Sequence, residues 1–400
     1  MNILLISRCP PYPLHLGDRL IVYHLARELH RRGHVIDLLA FSDRMDDLAD
    51  RYQYAGFFRD VFLLPEPVRS QRSYMRRWLG VQRRFPSHAQ AAWSPDMWRL
   101  IARMISERAY DVAHLFGGVQ VYEFARLAAE LPNVITPYES YALYLKRQYA
   151  AQPTLRRRIE LHAARGFERF MFAPFDAAVV LSEPDRAELL RADDRLDVRV
   201  IPNGIDLDYW RNPHPNSAAV PRERDTLIFT GNYDYAPNQD AARRLITRIL
   251  PLVRQHIPDA KAWIVGNAPP RDLAAWGADR VAITGRVPDV RPYLARASVF
   301  VSPLAFGAGI KNKILEAMAM GCPVAATPLS MDGIAITPGH DVLIESSDEA
   351  LAAAAVRLLR DPAYAMQLGA NAQRLIETRY SWGQVAAAYE ALYEEVQGRG

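Results

Sequence analysis

The stretch Phe306-Gly307-Ala308-Gly309-Ile310-Lys311-Asn312-Lys313-Ile314-Leu315-Glu316 has the residue types of a site that grips an anion at one end and hydroxyls further in. Two glycines let backbone approach a ligand closely, the start of a helix presents amide donors, and Lys311 and Lys313 add positive charge. Glu316 follows among Ile314, Leu315, Ala317 and Met318. A carboxylate is costly to bury beside such neighbours without a partner, and a sugar or ribose diol supplies one. Gly321 and Pro323 then end the helix. The same residues fit an ordinary loop, helix and strand of an α/β sheet, so their reading depends on the elements around them.

Those elements are legible as short apolar runs alternating with helix-length segments, the pattern of parallel strands joined by crossover helices. In the first half the pattern predicts strands over Asn2–Ser7, Val35–Ala40, Val61–Leu64, Val112–Phe116, Val134–Pro137, Ala177–Leu181 and Val198–Ile201. A second series is predicted over Leu227–Thr230, Ala262–Val265, Val281–Thr284, Val299–Ser302, Val324–Thr327 and Val342–Ile344. Between the two, Ile201-Pro202-Asn203-Gly204-Ile205-Asp206 leads into a polar segment from Arg211 to Arg224, which marks a boundary. Two Rossmann-like α/β units are therefore expected, over residues 1–204 and 205–381. Asp18–Arg32 reads as the first helix, with Gly33 past its end. A last helix over 382–397 has an apolar face of Trp382, Val385, Ala386, Tyr389, Leu392 and Tyr393; it packs on its own unit or returns to complete the first.

Four hundred residues, half of them apolar and 24% charged, suit a soluble chain of two domains. Cys9 and Cys322 are too few for a disulfide framework, so a cytoplasmic setting is expected. The apolar run at the N-terminus reads as a strand rather than a leader, and no run approaches the roughly 18 apolar residues that span a bilayer. The cationic excess falls in residues 1–204, with 29 Lys and Arg against 24 Asp and Glu. Much of it lies in the acid-free segment from Arg69 to Arg84, where Arg72, Arg76, Arg77 and Arg83 alternate with Tyr74, Met75, Trp78 and Leu79. A solvated basic surface is the first reading of that segment and peripheral contact with anionic lipid the second; no nucleic-acid partner is expected.

Several chemistries drop out. The loop Ser7-Arg8-Cys9-Pro10-Pro11 lacks the glycines and amides of a dinucleotide-binding turn. Gly307-Ala308-Gly309 is not followed by Gly-Lys-Ser or Gly-Lys-Thr, which removes ATP hydrolysis, and neither a Gly-x-Ser-x-Gly elbow nor a His-Glu-x-x-His helix is present. Asp206-Leu207-Asp208 falls in the boundary turn, and no metal site is assigned to it.

Six motifs in order resemble a retaining glycosyltransferase of the GT-B architecture, family 4, over nearly the whole chain. They are Asn2–Ser7 with Gly17-Asp18-Arg19, Arg32-Gly33-His34-Val35, Val200-Ile201-Pro202-Asn203-Gly204-Ile205-Asp206, Phe229-Thr230-Gly231-Asn232, Thr284-Gly285-Arg286-Val287, and Glu316-Ala317-Met318-Ala319-Met320-Gly321-Cys322-Pro323-Val324. The Gly-Ile-x-Asn-Lys before Glu316 is similar to that of the subset found with exopolysaccharide genes. The resemblance implies two Rossmann-like domains facing each other across a cleft. It also implies transfer of a sugar from a nucleotide-diphosphate donor to an acceptor hydroxyl, with configuration kept and no bound metal or other cofactor. It places the donor on the second unit. Glu316 then lies on ribose hydroxyls, Gly285, Arg286 and Val287 beside the base, and Gly231, Asn232, Gly307, Gly309, Ile310 and Lys313 around the phosphates and sugar. On the acceptor side it places Gly17, Asp18 and Arg19. His114, at the end of the predicted strand Val112–Phe116, and Glu139, after Val134–Pro137, sit where open α/β sheets place ligand groups and are the further catalytic candidates.

Two departures accompany the likeness. Ala308 stands where the family has a first glutamate, and Asn232 where it has an arginine, with no lysine after it. Neutralisation of the diphosphate then passes to Lys311 and Lys313, and Lys311 is favoured as the nearer to the glycine pair; a cation there stabilises the departing diphosphate more than the intact donor. The competing expectations are a nucleotide-sugar epimerase on the same fold and a catalytically silent nucleotide-binding scaffold.

Overall fold

The computed structural model describes residues 1–14, 17–67, 85–211, 223–270, 280–307 and 310–399. The segment from Arg69 to Arg84, and Ala308 with Gly309, lie outside the described residues.

The chain forms two compact units, Met1–Asn203 with Trp382–Gly400, and Gly204–Ser381. The first contains a seven-stranded parallel sheet of β1 (Asn2–Ser7), β2 (Val35–Ser42), β3 (Asp60–Pro65), β4 (Val112–Phe116), β5 (Asn133–Tyr138), β6 (Ala177–Val180) and β7 (Val198–Val200), in the order β3-β2-β1-β4-β5-β6-β7. The register runs Leu5 opposite Leu38 on one side and His114 on the other. The second unit has six strands, β8 (Thr226–Thr230), β9 (Lys261–Val265), β10 (Val281–Ile283), β11 (Val299–Ser302), β12 (Val324–Ala326) and β13 (Leu343–Ile344), in the order β10-β9-β8-β11-β12-β13. Parallel strands are covered on both faces, so they read as continuous apolar runs: Ile3 to Ile6 and Leu227 to Phe229 are fully buried. Each unit reverses the direction in which strands are added at one point, between β1 and β4 and between β8 and β11. The loops leaving those strands splay apart there and open a crevice.

The last helix, Trp382–Gln397, belongs to the first unit. Its apolar face is buried, Trp382 stacks on His24 with ring centroids 5.1 Å apart, and Glu390 accepts from Arg32 at 2.9 Å and pairs with His34 at 2.8 Å. Two helices of the first unit, Tyr141–Ala151 and Leu155–Phe172, form a hairpin that the strand pattern did not mark.

Within β2, Asp37 is fully buried and accepts from Arg59 Nε at 3.0 Å, Arg108 Nη1 at 2.8 Å and Tyr110 Oη. Burial alone would raise its carboxyl, but these donors outweigh it and hold the group below the usual carboxylate range. A depressed folded-state pKa gives stability that is present above the unfolded value and lost as pH falls through the folded one. Asp37→Ala leaves the Arg59 guanidinium and the Tyr110 hydroxyl without this acceptor, while Arg108 keeps its ion pair with Asp60 at 2.7 Å. The expected cost is about 2–3 kcal/mol, read as a lower urea midpoint, and it shrinks as the pH is taken below about 4. A midpoint equal to wild type at pH 7 would show the cluster contributes nothing.

Candidate functional site

The crevice between β8 and β11 is lined by the loop after β8, the turn after β9 and the helix Asn312–Ala319. Backbone at the first two is crowded in a way that only glycine permits. Gly266 has φ +145°, and a Cβ there would lie 1.8 Å from the carbonyl oxygen of Gly231. At Gly231 a Cβ would come within 3.2 Å of the Lys313 Nζ and 3.1 Å of the Asn238 amide, so the missing side chain is the space those groups use.

Lys313 is therefore the lysine that enters the crevice. Its ammonium donates to Asn238 Oδ1 and lies 4.8 Å from the centroid of the Phe229 ring. Asn238 in turn donates to the Asn232 carbonyl at 2.7 Å, which fixes the loop after β8. Burial lowers the Lys313 amine to about 7 although Glu316 pulls the other way, and Lys311 adds to the lowering. Glu316 lies one helical turn on, on the same face. Burial raises its carboxyl to about 7 against the opposing effect of Lys313. For each group burial outweighs the attraction of the other, which is the electrostatic state of a site that suits a ligand with both an anion and hydrogen-bond donors. Lys311, at the N-cap position of the helix, is 7% exposed. Ile310 packs on the core of the unit, and Gly307, with φ +127°, brings the loop beside Tyr235 and Pro237.

The turn after β10 adds Gly285 with φ +66°, exposed Arg286, and Val287 packed against the core. Beside it is a cluster that motif reading missed. Arg291 is gripped by Asp289 through Nε at 2.9 Å and Nη2 at 2.7 Å, and its guanidinium lies 3.7 Å from the Tyr209 ring centroid. The Tyr209 phenol is raised by burial first, then by Asp289, with Glu316 contributing, so this ring stands in the field of the Glu316 carboxylate. The i, i+3 spacing of Lys313 and Glu316 is a local signal for the pair that proximity to the glycines overrode; Tyr209 and Arg291 are 82 positions apart and offer none.

Two candidates of the first unit are corrected. His114 is fully buried within β4, with Nε2 2.8 Å from Thr136 Oγ1 and Nδ1 bonded to the Tyr393 hydroxyl of the last helix. Burial pushes its imidazole down to about 3, so it is neutral, and both ring nitrogens are engaged within the first unit. Arg19 is 1% exposed and locked by Asp47 at 2.6 Å and by Asp43, so it holds the loop after β2 rather than an acceptor. Asp18 pairs with Arg8 at 3.1 Å, Gly17 is exposed at the start of its helix, and Glu139 is exposed after β5.

Comparison with known proteins agrees with this architecture. Residues 20–209 match the family model described as Glycosyltransferase Family 4, and residues 224–361 the model described as Glycosyl transferases group 1. A phosphatidyl-myo-inositol mannosyltransferase of Mycobacterium leprae is 30% identical over 214 residues, 51% of this chain and 55% of that protein. The lipopolysaccharide core biosynthesis mannosyltransferase LpcC of Rhizobium leguminosarum is 31% identical over 128 residues, 32% of this chain and 36% of that protein. The chain thus spans about half or less of the length of these relatives. Among solved structures, sucrose-phosphate synthase from Thermosynechococcus elongatus superposes with a TM-score of 0.72 at 19% identity, covering 100% of both chains. Anabaena HepE in complex with UDP superposes at 0.68 and 14%, covering 99% of this chain and 100% of the other. At these identities the likeness is one of fold.

Proposed function

Because the chain belongs to the family 4 type of GT-B glycosyltransferases, we propose that it transfers a sugar from a nucleotide-diphosphate donor to an acceptor hydroxyl, with retention of configuration and without a bound metal. The observation that carries this reading is the Lys313 and Glu316 pair on one face of a helix at the β8/β11 crevice, with Gly231 leaving room for the ammonium. The diphosphate lies against Lys313, the backbone of the loop after β8 and the positive end of the helix. Glu316 accepts from ribose hydroxyls. The Tyr209 ring, backed by Arg291 and 43% exposed, offers a stacking surface for the base next to Gly285, Arg286 and Val287. As the bond from the anomeric carbon to the diphosphate oxygen breaks, negative charge grows on that oxygen. A cation held in a poorly solvated site then stabilises the transition state more than the ground state.

Purified protein is to be incubated with GDP-mannose and UDP-glucose, with and without candidate acceptors, in the presence of EDTA. Acceptor-dependent release of nucleoside diphosphate, with the anomeric configuration of the product kept by NMR, supports the reading. An isomerised donor in place of free nucleotide selects an epimerase, and no nucleotide-induced melting shift at millimolar concentration selects a silent member.

Proton exchange gives a sharper check on the pair. An intact nucleotide-sugar has no titrating phosphate near neutrality, so any proton that moves on binding belongs to the protein. At pH 8 the free Lys313 amine is mostly neutral and the diphosphate recharges it, so binding takes up as much as about one proton. At pH 6 the free Glu316 is mostly protonated and the ribose hydroxyls favour its carboxylate, so binding releases a proton. Calorimetry in buffers of different ionisation enthalpy reads both signs. The absence of exchange at pH 6 and pH 8 alike would remove the pair from the donor site.

A further inference from the structure

We infer that the first unit contains a pocket for the acyl or isoprenyl chain of a lipid acceptor; this rests on the transferase reading and names the class of its acceptor. A cavity of about 490 Å³ lies at the C-terminal ends of β4 and β5, beside the reversal between β1 and β4, walled by Val119, Pro137, Ala164, Phe167, Met171 and Phe172. The volume is that of a small-molecule site, and the position is where open α/β sheets bind ligands. Its interior is apolar because the one buried carboxylate on the wall is engaged elsewhere: Glu168 accepts from the Tyr141 amide at 2.6 Å and from Ser140 Oγ at 3.0 Å.

The rim is polar and its backbone is strained. Arg8 follows β1, and its side chain passes 2.8 Å from where a Cβ of Gly117 would stand, at a φ of +111°. Tyr138, also on the rim, is a non-glycine residue at φ +72°, and among the described residues its buried hydroxyl has no hydrogen-bond partner. Strain of this kind concentrates at ligand sites. Exposed Glu139 completes the rim.

The surface beside the mouth supplies the second observation. The hairpin that walls the cavity turns Leu155 (73% exposed), Ile159 (57%), Tyr141 (58%) and Tyr144 to solvent, with the two tyrosine rings stacked at 5.9 Å and Arg156 ion-paired to Glu160 at 2.8 Å on the same hairpin. Single exposed apolar residues are ordinary, but an aromatic and aliphatic group gathered on one hairpin is the pattern of an interfacial surface. Tyr141 belongs to both features, so apolar surface continues from the outside into the cavity. A free sugar would leave such a cavity empty. An amphipathic lipid fills it with its chain and leaves its head group beside Arg8 and Glu139.

The test uses the full chain and dansyl-undecanoate as the fluorescent probe. Saturable binding is expected, displaced by farnesyl phosphate but not by isopentenyl phosphate at the same concentration. Val119→Trp, which fills the cavity, should weaken the probe at least tenfold while leaving the melting shift caused by UDP or GDP unchanged. If that variant does not fold, Tyr141→Ala at the rim should weaken the probe at least threefold. Non-saturable binding, wild-type affinity in the folded variants, or equal displacement by isopentenyl phosphate overturns the inference. Loss of the nucleotide shift in wild type overturns the transferase reading instead, so the two failures are told apart.

Discussion

Lys313→Ala is expected to lower turnover by about 10²–10³-fold with a much smaller change in donor affinity, the signature of an interaction that strengthens as charge builds on the leaving oxygen. The ammonium is held by Asn238 and the Phe229 face and kept poorly solvated by its surroundings, so it needs little reorganisation when the diphosphate departs. Removing an amine that burial already disfavours should leave the urea midpoint near wild type, which separates a chemical effect from unfolding. Lys313→Arg is expected to restore little, because the space at Gly231 is filled to within 3.2 Å by the existing ammonium. Steady-state kinetics with saturating donor decide the matter; a turnover within threefold of wild type would return the role to Lys311 or to the backbone amides.

The second large effect belongs to Glu316→Gln, and it has two parts. Loss of a charged acceptor for ribose hydroxyls is worth about 1.5–3 kcal/mol, or roughly a 10- to 100-fold weaker nucleotide-sugar complex. The variant also removes the one opposing charge that keeps the Lys313 amine from falling further, so that amine becomes more neutral at pH 7. Turnover of the variant should therefore recover in part as the pH is lowered, where the wild-type enzyme loses Glu316 to protonation. Kinetics of both proteins between pH 5.5 and 8.5 will show whether the profiles diverge in this direction. Parallel profiles would mean that the two side chains do not communicate.

How much of this was legible in the chain depends on how far apart the cooperating residues lie. Strands such as Asn2–Ser7 and Val299–Ser302 were readable to the residue because parallel strands buried on both faces must be apolar throughout. The glycine-lysine loop and Glu316 were readable because their chemistry is local. The choice of Lys311 over Lys313 followed proximity to the glycines, whereas helical phase decides which lysine shares a face with Glu316. His114 was misplaced because its partner Tyr393 lies 279 positions away, and Arg19 because Asp43 and Asp47 follow only after an intervening helix and strand. Nothing near either residue in the chain announces that it is already engaged. Of the two donor-side departures, Ala308 lies outside the described residues, and Asn238 with Lys313 supplies polar and cationic groups beside Asn232.

The last helix has a consequence for how the protein comes into being. The unit that begins at Met1 is completed only by residues beyond Ser381, whereas the other unit is contiguous. A ribosome reading this message therefore releases everything needed for the later-starting unit first. Meanwhile His24 waits for Trp382, and His114 for Tyr393, until codons beyond that of Ser381 have been translated.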